Sequence, residues 1–325
     1  MSGPSSLSHR GVATAETPPQ PCERRHVGRH SAGAERRLRY LVEGAGAWLL
    51  FGFFRSLPLD WASALGGLLA RNIGPHLGIS KLARDNLRRA MPELDPVQIE
   101  RTIRGMWDNL GRVIAEYPHL NKIRVFERGG CVEPMGLDNI LSNHSGGKRY
   151  IFFSAHCGNW EIASLAASQV GIAVANVYRA ANNPIVDRLL VRMRGSGDAV
   201  LIPKGSVAAR RAIDWLHSGK HLSMLADQKM NDGIAVPFFG RDAMTAPGLA
   251  KLALRFDATV VPVQVVRLKG AHFRLTIEAP LELPRSGNST ADTLALMIKV
   301  NETVERWVRE RPEQWLWVHR RWPVS

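Results

Sequence analysis

The residues best suited to chemistry in this sequence lie at positions 149–162, RYIFFSAHCGNWEI. An apolar run leads to His156, and Glu161 follows five positions later. A carboxylate bonded to one imidazole nitrogen fixes the tautomer and stabilises the imidazolium, which leaves the other nitrogen to accept a proton. The pair predicts a base that deprotonates a substrate hydroxyl for attack on an activated acyl group. The spacing is also typical of a strand-end histidine bonded to backbone beside a solvated glutamate, because isolated pairs are weak motifs.

The elements around the pair decide whether it can form. Residues 150–153 are aromatic or β-branched and predict a short buried strand, so His156 lies just beyond its end. Gly158 supplies a turn, Asn159 is a good helix N-cap, and residues 160–170 carry apolar side chains at helical spacing. In one continuous helix, side chains five residues apart point about 140° away from each other. The pair can therefore meet only if the histidine precedes the helix, which the turn permits.

Three further apolar runs alternate with helical patterns. Strands are predicted at residues 174–177, 199–202 and 222–226, and helices at residues 183–193 and 206–216. This alternation predicts a largely parallel sheet. Two later apolar segments, 259–266 and 271–277, meet near Gly270 and predict an antiparallel pair at the sheet edge.

Two long amphipathic patterns complete the predicted fold. Residues 84–116 and 290–309 carry apolar side chains at helical spacing and predict helical layers packed on the sheet. The predicted fold class is α/β, with a single, largely parallel mixed sheet flanked by helices.

A charged side chain follows each predicted parallel strand. Arg179, Lys204 and Asp227 occupy these positions, as His156 does after the first strand. Because the carboxyl ends of parallel strands meet at one edge, where open α/β sheets bind ligands, we expect the four side chains to converge. Taken singly, each is also typical of an ordinary loop charge.

Composition divides the chain of 325 residues into three parts. Residues 1–37 are rich in Ser, Gly, Pro, Ala and Arg without apolar periodicity, and they predict a disordered basic extension. Residues 38–78 predict a membrane-associated helical segment. Residues 79–325 can bury one large core and predict one α/β domain rather than two.

The run at residues 41–54, LVEGAGAWLLFGFF, is apolar except for Glu43 and follows an arginine-rich stretch. It is shorter than the roughly 20 residues needed to span a bilayer. Its aromatic residues suit an N-terminal helix at the membrane surface, with arginines on anionic headgroups. A buried core helix is an alternative. A secretory signal with a cleavage site near residues 62–64 is another, which the long preceding polar region disfavours. We expect the protein to stay on the cytoplasmic face of its membrane.

The formal net charge of +14 suits nucleic acid, anionic lipid or an acidic protein as a partner. The sequence has no zinc-finger spacing, RNA-recognition aromatic signature or basic heptad array, so no nucleic-acid partner is expected. An anionic membrane surface, a phosphorylated glycolipid and an acidic carrier protein account better for the charge.

The chain has three cysteines, and this odd, scattered set argues for a reducing compartment rather than a disulfide framework. Cys157 beside His156 allows a rival mechanism in which the thiol takes the acyl group first, although adjacent side chains usually diverge. No third ligand stands at a spacing typical of zinc, so no metal is expected.

Several blocks of the sequence are similar to one known family. The histidine, four residues and acid of the lysophospholipid and glycerolipid acyltransferase superfamily are matched by His156 to Glu161. Other blocks resemble the bacterial lipid A late acyltransferases within that superfamily. They are VYRAANNPIVDRLL at 177–190, LADQK at 225–229, VPFFGRDAMTAPGLAKLA at 236–253 and EQWLWVHRRW at 313–322. The resemblance extends from about residue 41 to the end of the sequence.

This resemblance implies a glycerolipid-acyltransferase-like fold and an activity that needs no cofactor. An acyl chain would pass from an acyl carrier protein to a hydroxyl of a lipid A precursor or related glycolipid, at the cytoplasmic face of the cell inner membrane. His156 would be the general base, with Glu161 as its orienting partner.

Arg179 and Asp227 match polar site positions of the family, and Asn159 and Lys204 complete the predicted substrate-binding set. Two other functions stay open at this point. The chain is compatible with a non-catalytic lipid-binding protein, or with an acyltransferase that acts on another lysolipid with acyl-coenzyme A. A mannosylated phosphoinositide also stays open as the acceptor.

Overall fold

The computed structural model describes residues 27–141, 147–169, 171–194, 200–205 and 207–322. Helices α1 to α10 span, in order, Val27–Ser56, Leu59–Ile73, Ile79–Ala90, Pro96–Glu116, Asp138–Leu141, Glu161–Gln169, Pro184–Arg194, Ala208–His217, Gly248–Phe256 and Ser289–Glu310. Strands β1 to β9 span Val132–Met135, Tyr150–Ser154, Val174–Tyr178, Val200–Pro203, His221–Leu225, Lys229–Phe238, Arg241–Thr245, Thr259–Lys269 and His272–Ile277. Short 3₁₀ turns cover Gly74–His76, Tyr117–Lys122 and Pro312–Gln314.

Seven strands form one mixed sheet in the order β1-β9-β8-β2-β5-β3-β4. The neighbours from β8 to β4 are mutually parallel, whereas β8 and β9 are antiparallel. The predicted α/β class and the antiparallel β8–β9 pair are therefore confirmed. Strand β1, which was not predicted, pairs in parallel with β9 and forms the edge. Strands β6 and β7 form a separate antiparallel hairpin that was also not predicted.

Strand β2 lies at the centre of the sheet and is buried along its whole length. Its side chains alternate between the two faces, as strand geometry requires. Ile151 and Phe153 join the core formed with α8, α9 and α10, whereas Tyr150 and Phe152 join the core formed with α6. Parallel strands covered on both faces are expected to be apolar throughout, which explains the YIFF run that leads to the histidine.

The amphipathic pattern predicted at residues 84–116 is divided between two helices, α3 and α4. Asp95 caps α4 by accepting from the Gln98 backbone N–H, and the Gln98 side chain accepts from the Asp95 N–H. Pro96 occupies the first helical turn, where its missing N–H costs nothing. This capping box starts a new helix and interrupts the pattern.

Helix α1 begins at Val27, inside the stretch predicted to be a disordered extension, and residues 1–26 lie outside the described residues. The predicted membrane-associated segment corresponds to the later part of α1 together with α2 and the turn after it. Within the described residues, no helix combines the length and apolar character needed to cross a bilayer.

A buried ion pair supports the loop that carries the histidine. Glu116, at the end of α4, and Arg267, on β8, are joined by hydrogen bonds of 2.5 and 3.1 Å. Asn159 also donates to Glu116, at 2.8 Å. Gly158 has a φ of +54°, and a Cβ there would lie 2.6 Å from the Val265 carbonyl oxygen, so only glycine fits this close approach.

Replacing Glu116 by Gln would leave the Arg267 guanidinium buried without a carboxylate. We expect the E116Q change to lower the free energy of unfolding by about 3–5 kcal/mol in chemical denaturation. The matched control is E133Q, because Glu133 and Arg274 form an exposed pair whose loss should cost less than about 1 kcal/mol. Equal effects of the two changes would contradict a supporting role for the buried pair.

Candidate active site

His156 follows the carboxyl end of β2 and is held by Asp227, which follows the adjacent strand β5. The His156 Nδ1 atom lies 2.8 Å from Asp227 Oδ1, and the His156 backbone N–H donates to Asp227 Oδ2 at 2.9 Å. Because a carboxylate only accepts, Nδ1 carries the proton and Nε2 is left as a proton acceptor. This is the arrangement required of a general base.

Trp315 completes the surroundings of the carboxylate. Its indole Nε1–H donates to Asp227 Oδ2 at 2.8 Å, and both side chains are buried. Burial alone would raise the pKa of the Asp227 carboxyl, but the charge and hydrogen bonds of His156 outweigh it and hold this pKa well below its ordinary value. The carboxylate is therefore ionised at neutral pH and available to stabilise an imidazolium.

Two more basic groups lie behind Asp227. Burial lowers the pKa of His319 to about 4, partly opposed by the charge of Asp227, so this imidazole is neutral at pH 7. Burial lowers the pKa of Arg321 to about 10, again opposed by Asp227, so the guanidinium stays charged. Arg321 donates to oxygens of Met244, Thr245 and Asn301. It adds to the positive potential that favours the ionised form of Asp227.

Glu161 does not contact His156, and the prediction that it orients the imidazole is wrong in this structure. Its carboxylate accepts from Tyr117 at 2.5 Å, from Trp160 at 3.0 Å and from Arg194 at 2.6 and 2.8 Å. The physical reason is topological. Glu161 begins α6 and turns towards the end of α7, whereas Asp227 lies on the strand next to β2.

Arg194 and Glu161 form a compact polar cluster with Tyr117. The guanidinium also lies over the rings of Tyr117 and Tyr178, at 5.7 and 5.5 Å from their centroids. Burial would lower the pKa of Arg194, but Tyr117 and Glu161 outweigh it and raise this pKa. The Arg194 guanidinium therefore stays charged, and Arg194 and Glu161 line the same cavity as the histidine.

A cavity of about 450 Å³ opens beside the imidazole. Its lining includes His156, Arg179, Lys204, Glu161 and Gln228. The predicted convergence of strand-end side chains is thus observed: three of them line the cavity, and Asp227 lies directly behind the histidine. Gln228 lies in the LADQK block but was not among the predicted site residues. Its side-chain nitrogen lies 3.3 Å from His156 Nε2.

Arg179 and Lys204 are exposed at the rim of this cavity. Neither forms an ion pair with any residue in the described part of the chain. Desolvation lowers the pKa of Lys204, Asp227 opposes that change, and Arg179 adds to it. Two cations without acidic partners at a cavity rim provide a site for an anionic group.

The loop that carries Arg179 is tied to helix α1. Asn183 accepts from the backbone N–H groups of Ile185 and Val186 at the start of α7. Its amide donates to the Tyr40 carbonyl oxygen at 3.0 Å and to Glu43 Oε2 at 2.9 Å. This contact explains why a single acid interrupts the apolar run of α1.

A second, apolar cavity of about 140 Å³ adjoins the first. Both cavities are lined by Ser154, Ala163 and Ser223, so they meet between the sheet and α6. The rest of the apolar wall is Phe126, Leu137, Ile140, Phe152, Phe153, Ala166, Ala167, Ile172, Val263, Leu275 and Ile277. The lining of this chamber suits an apolar group.

Two other sequence expectations concern neighbours of the histidine. Asn159 is fully buried, donates to Glu116 and accepts from the Glu161 backbone N–H. It supports the loop and has no surface for the predicted contact with substrate. Burial, followed by the charge of Asp227, raises the pKa of the buried Cys157 thiol well above its ordinary value. Cys157 is therefore poorly suited to act as a nucleophile.

Comparison with known sequences decides the family. The family described as bacterial lipid A biosynthesis acyltransferase matches residues 32–323 of this chain. The chain belongs to this family. Membership makes it an acyltransferase, and the structure has a histidine–aspartate pair at the strand ends beside a polar and an apolar cavity.

Individual relatives within this acyltransferase family are distant. A lipid A biosynthesis acyltransferase of Haemophilus influenzae is 24% identical over 244 residues, which cover 73% of each chain. A lipid A biosynthesis myristoyltransferase of Escherichia coli is 25% identical over 283 residues, covering 84% of this chain and 85% of the relative. A palmitoleoyltransferase of the same organism is 24% identical over 251 residues, covering 74% and 77%.

The two carboxylates of this acyltransferase can be distinguished by substitution. We expect D227N to lower kcat by on the order of 10³ or more, because an amide cannot hold the imidazole in the required tautomer. Glu161 should instead act through Arg194. The E161Q and R194Q changes should therefore lower kcat by similar factors. The E161Q/R194Q double variant should have a kcat no lower than that of either single variant. Acyl transfer kinetics and thermal unfolding of all four variants provide the measurement.

The opposite pattern would show that Glu161, and not Asp227, orients the His156 imidazole. In that case E161Q would abolish turnover, R194Q would leave it intact and D227N would be tolerated.

Proposed function

We propose that this protein transfers a fatty acyl chain from an acyl carrier protein thioester to a hydroxyl of a lipid A precursor or related glycolipid. We further propose that it does so on the cytoplasmic face of the inner membrane. The observation that carries the proposal is the His156–Asp227 pair, whose Nε2 faces a polar cavity joined to an apolar one. The names of the family and of its relatives support lipid A as the acceptor class.

In the proposed reaction, His156 Nε2 takes the proton of the acceptor hydroxyl as its oxygen attacks the thioester carbonyl. The carbon–oxygen bond forms, and the carbonyl oxygen becomes an oxyanion in a tetrahedral intermediate. Collapse of this intermediate breaks the carbon–sulfur bond, and the imidazolium returns its proton to the departing thiolate. Asp227 stabilises the imidazolium between these steps.

The two cavities divide the substrates between them. The apolar chamber beyond Ser154, Ala163 and Ser223 receives the acyl chain, so its far wall limits the chain length. Arg179 and Lys204 at the rim of the polar cavity bind a phosphate of the acceptor headgroup, because paired cations favour phosphate oxygens.

The donor is proposed to dock beside the same rim. Helix α8 begins a few residues after Lys204, and its Arg210 and Arg211 are exposed without an ion pair in the described residues. An acidic carrier protein is complementary to this positive surface, whereas acyl-coenzyme A offers less contact area.

The activity is tested with purified protein, acyl carrier protein and coenzyme A thioesters of the same chain, and phosphorylated or dephosphorylated acceptor. Mass spectrometry should detect an acylated acceptor, formed faster from the carrier protein donor and from the phosphorylated acceptor. H156Q should abolish transfer, because it removes the base. H272Q is the matched control, since His272 is exposed on β9.

Two outcomes would contradict the proposal. Turnover retained by H156Q would exclude the histidine as the base. Absence of transfer by the folded wild type, despite binding of the lipids, would favour a non-catalytic lipid-binding protein.

Membrane attachment is supported by the outward face of α1. Its apolar side chains Leu38, Leu41, Val42, Trp48, Leu49 and Phe53 are exposed, and Leu49 is exposed to 76%. Phe51 and Phe54 are buried against the protein. Helix α2 adds exposed Trp61, Leu68, Leu69 and Ile73. A helix on an aqueous surface normally turns its polar face outward, so this arrangement favours a helix lying in the membrane interface.

Polar substitutions on this face should release the protein from lipid. We expect L49Q and F53Q each to weaken binding to anionic phospholipid vesicles by about tenfold, because each loses roughly 1.5 kcal/mol or more of apolar burial. Thermal stability should change little, since both side chains are exposed. V97Q and L294Q are controls at exposed positions elsewhere. Sedimentation with vesicles that is unchanged in L49Q/F53Q would contradict this role of α1.

A further inference from the structure

The proposed transfer needs a group that stabilises negative charge on the former carbonyl oxygen. Hydrogen-bond donors aimed at that oxygen commonly provide a large part of the rate enhancement in acyl transfer. In many such enzymes the donors are backbone N–H groups next to the catalytic residue. A hydrogen-bond donor to that oxygen is inferred below, and the inference rests on the proposed function.

The backbone N–H groups next to the base are already used. His156 N donates to Asp227, Cys157 N donates to the Ala155 carbonyl oxygen, and Gly158 N donates to the Gln314 carbonyl oxygen. A peptide N–H has only one hydrogen to donate, so this loop offers no backbone donor for the oxyanion at these three positions.

Two side-chain donors that line the cavity beside the histidine are also committed. The Trp160 indole N–H donates to Glu161, and Arg194 is held by Glu161 and Tyr117. Gln228 differs from them. Its Nε2 atom lies 3.3 Å from His156 Nε2, the atom at which the acceptor hydroxyl must bind.

We propose that the Gln228 side-chain amide donates a hydrogen bond to the oxyanion of the tetrahedral intermediate. His156 Nδ1–H donates to Asp227, so Nε2 is an acceptor and the group of Gln228 that faces it is the NH₂. When the acceptor hydroxyl occupies Nε2, this NH₂ group loses its partner within a few ångströms of the reacting carbonyl. Its N–H then has the developing oxyanion as the available acceptor.

The position of Gln228 in the chain supports this role. It directly follows Asp227, so the turn after β5 fixes both the residue behind the imidazole and the amide in front of it. The hydrogen bond to Nε2 gives the amide a partner before substrate binds. Gln228 is thus a catalytic residue that contacts the reacting atoms, unlike Trp315, which acts through Asp227.

The test is Q228M, which keeps the length of the side chain and removes its donors. We expect kcat to fall by on the order of 10² to 10³ while KM for donor and acceptor stays within about twofold. Q264M is the matched control, because Gln264 lies on β8 and donates to Glu310. Thermal unfolding of both variants should match that of the wild type.

Two stable donor analogues give a readout that a purely structural role would not change. A thioether reports ground-state binding, and a phosphonate in place of the carbonyl carries an anionic oxygen in tetrahedral geometry. Wild type should prefer the phosphonate, and Q228M should lose that preference by 10-fold or more while its Kd for the thioether is unchanged.

A phosphonate preference that survives in Q228M, or an equal loss of affinity for both analogues, would overturn the proposal for Gln228. Absence of turnover in the wild type would refute the proposed function instead. The binding measurements do not depend on turnover, so the two failures can be told apart.

Discussion

The hydrogen bonds of one buried carboxylate organise this protein. Asp227 accepts from the His156 backbone, the His156 imidazole and the Trp315 indole. An ionised carboxylate away from water is tolerated only when donors surround it, so all three donors must be held in place. The donors come from the loop after β2 and from the segment after α10. The Asp227 carboxylate is therefore held by several parts of the fold. They are the central sheet, the loop supported by the Glu116–Arg267 pair, and the segment after α10.

The line formed by the carboxyl ends of β2 to β5 was predictable, because these strands are short, apolar and separated by helical patterns. The side chains of His156, Arg179, Lys204 and Asp227 were correctly placed together by the rule that parallel strands end on the same side. The partner of the histidine was not predictable in the same way. Spacing favoured Glu161, five residues away, but strand order brings β5 next to β2 and places Asp227 at the imidazole. Periodicity within a segment carries no information about strand order.

Other features depended on contacts between distant segments. The Asn159–Glu116 contact joins residues 43 positions apart, and the Trp315–Asp227 contact joins residues 88 apart. Neither partner stands out in the sequence alone, since asparagine also suits a helix cap and tryptophan suits a core. The division of the predicted helix at residues 84–116 was more accessible. The Asp95-Pro96 pair with Gln98 is a local signal for a helix start that apolar periodicity does not register.

The amide of Asn183 joins α1 to the loop that carries Arg179, by hydrogen bonds to Tyr40 and Glu43. If α1 rests on a bilayer as proposed, a change in its tilt or depth would be transmitted to the loop that carries Arg179 through this amide. The lateral pressure and curvature of the bilayer would then affect how tightly the acceptor headgroup binds. Glu43, the acid within the apolar run, would then link the position of α1 in the membrane to the position of Arg179.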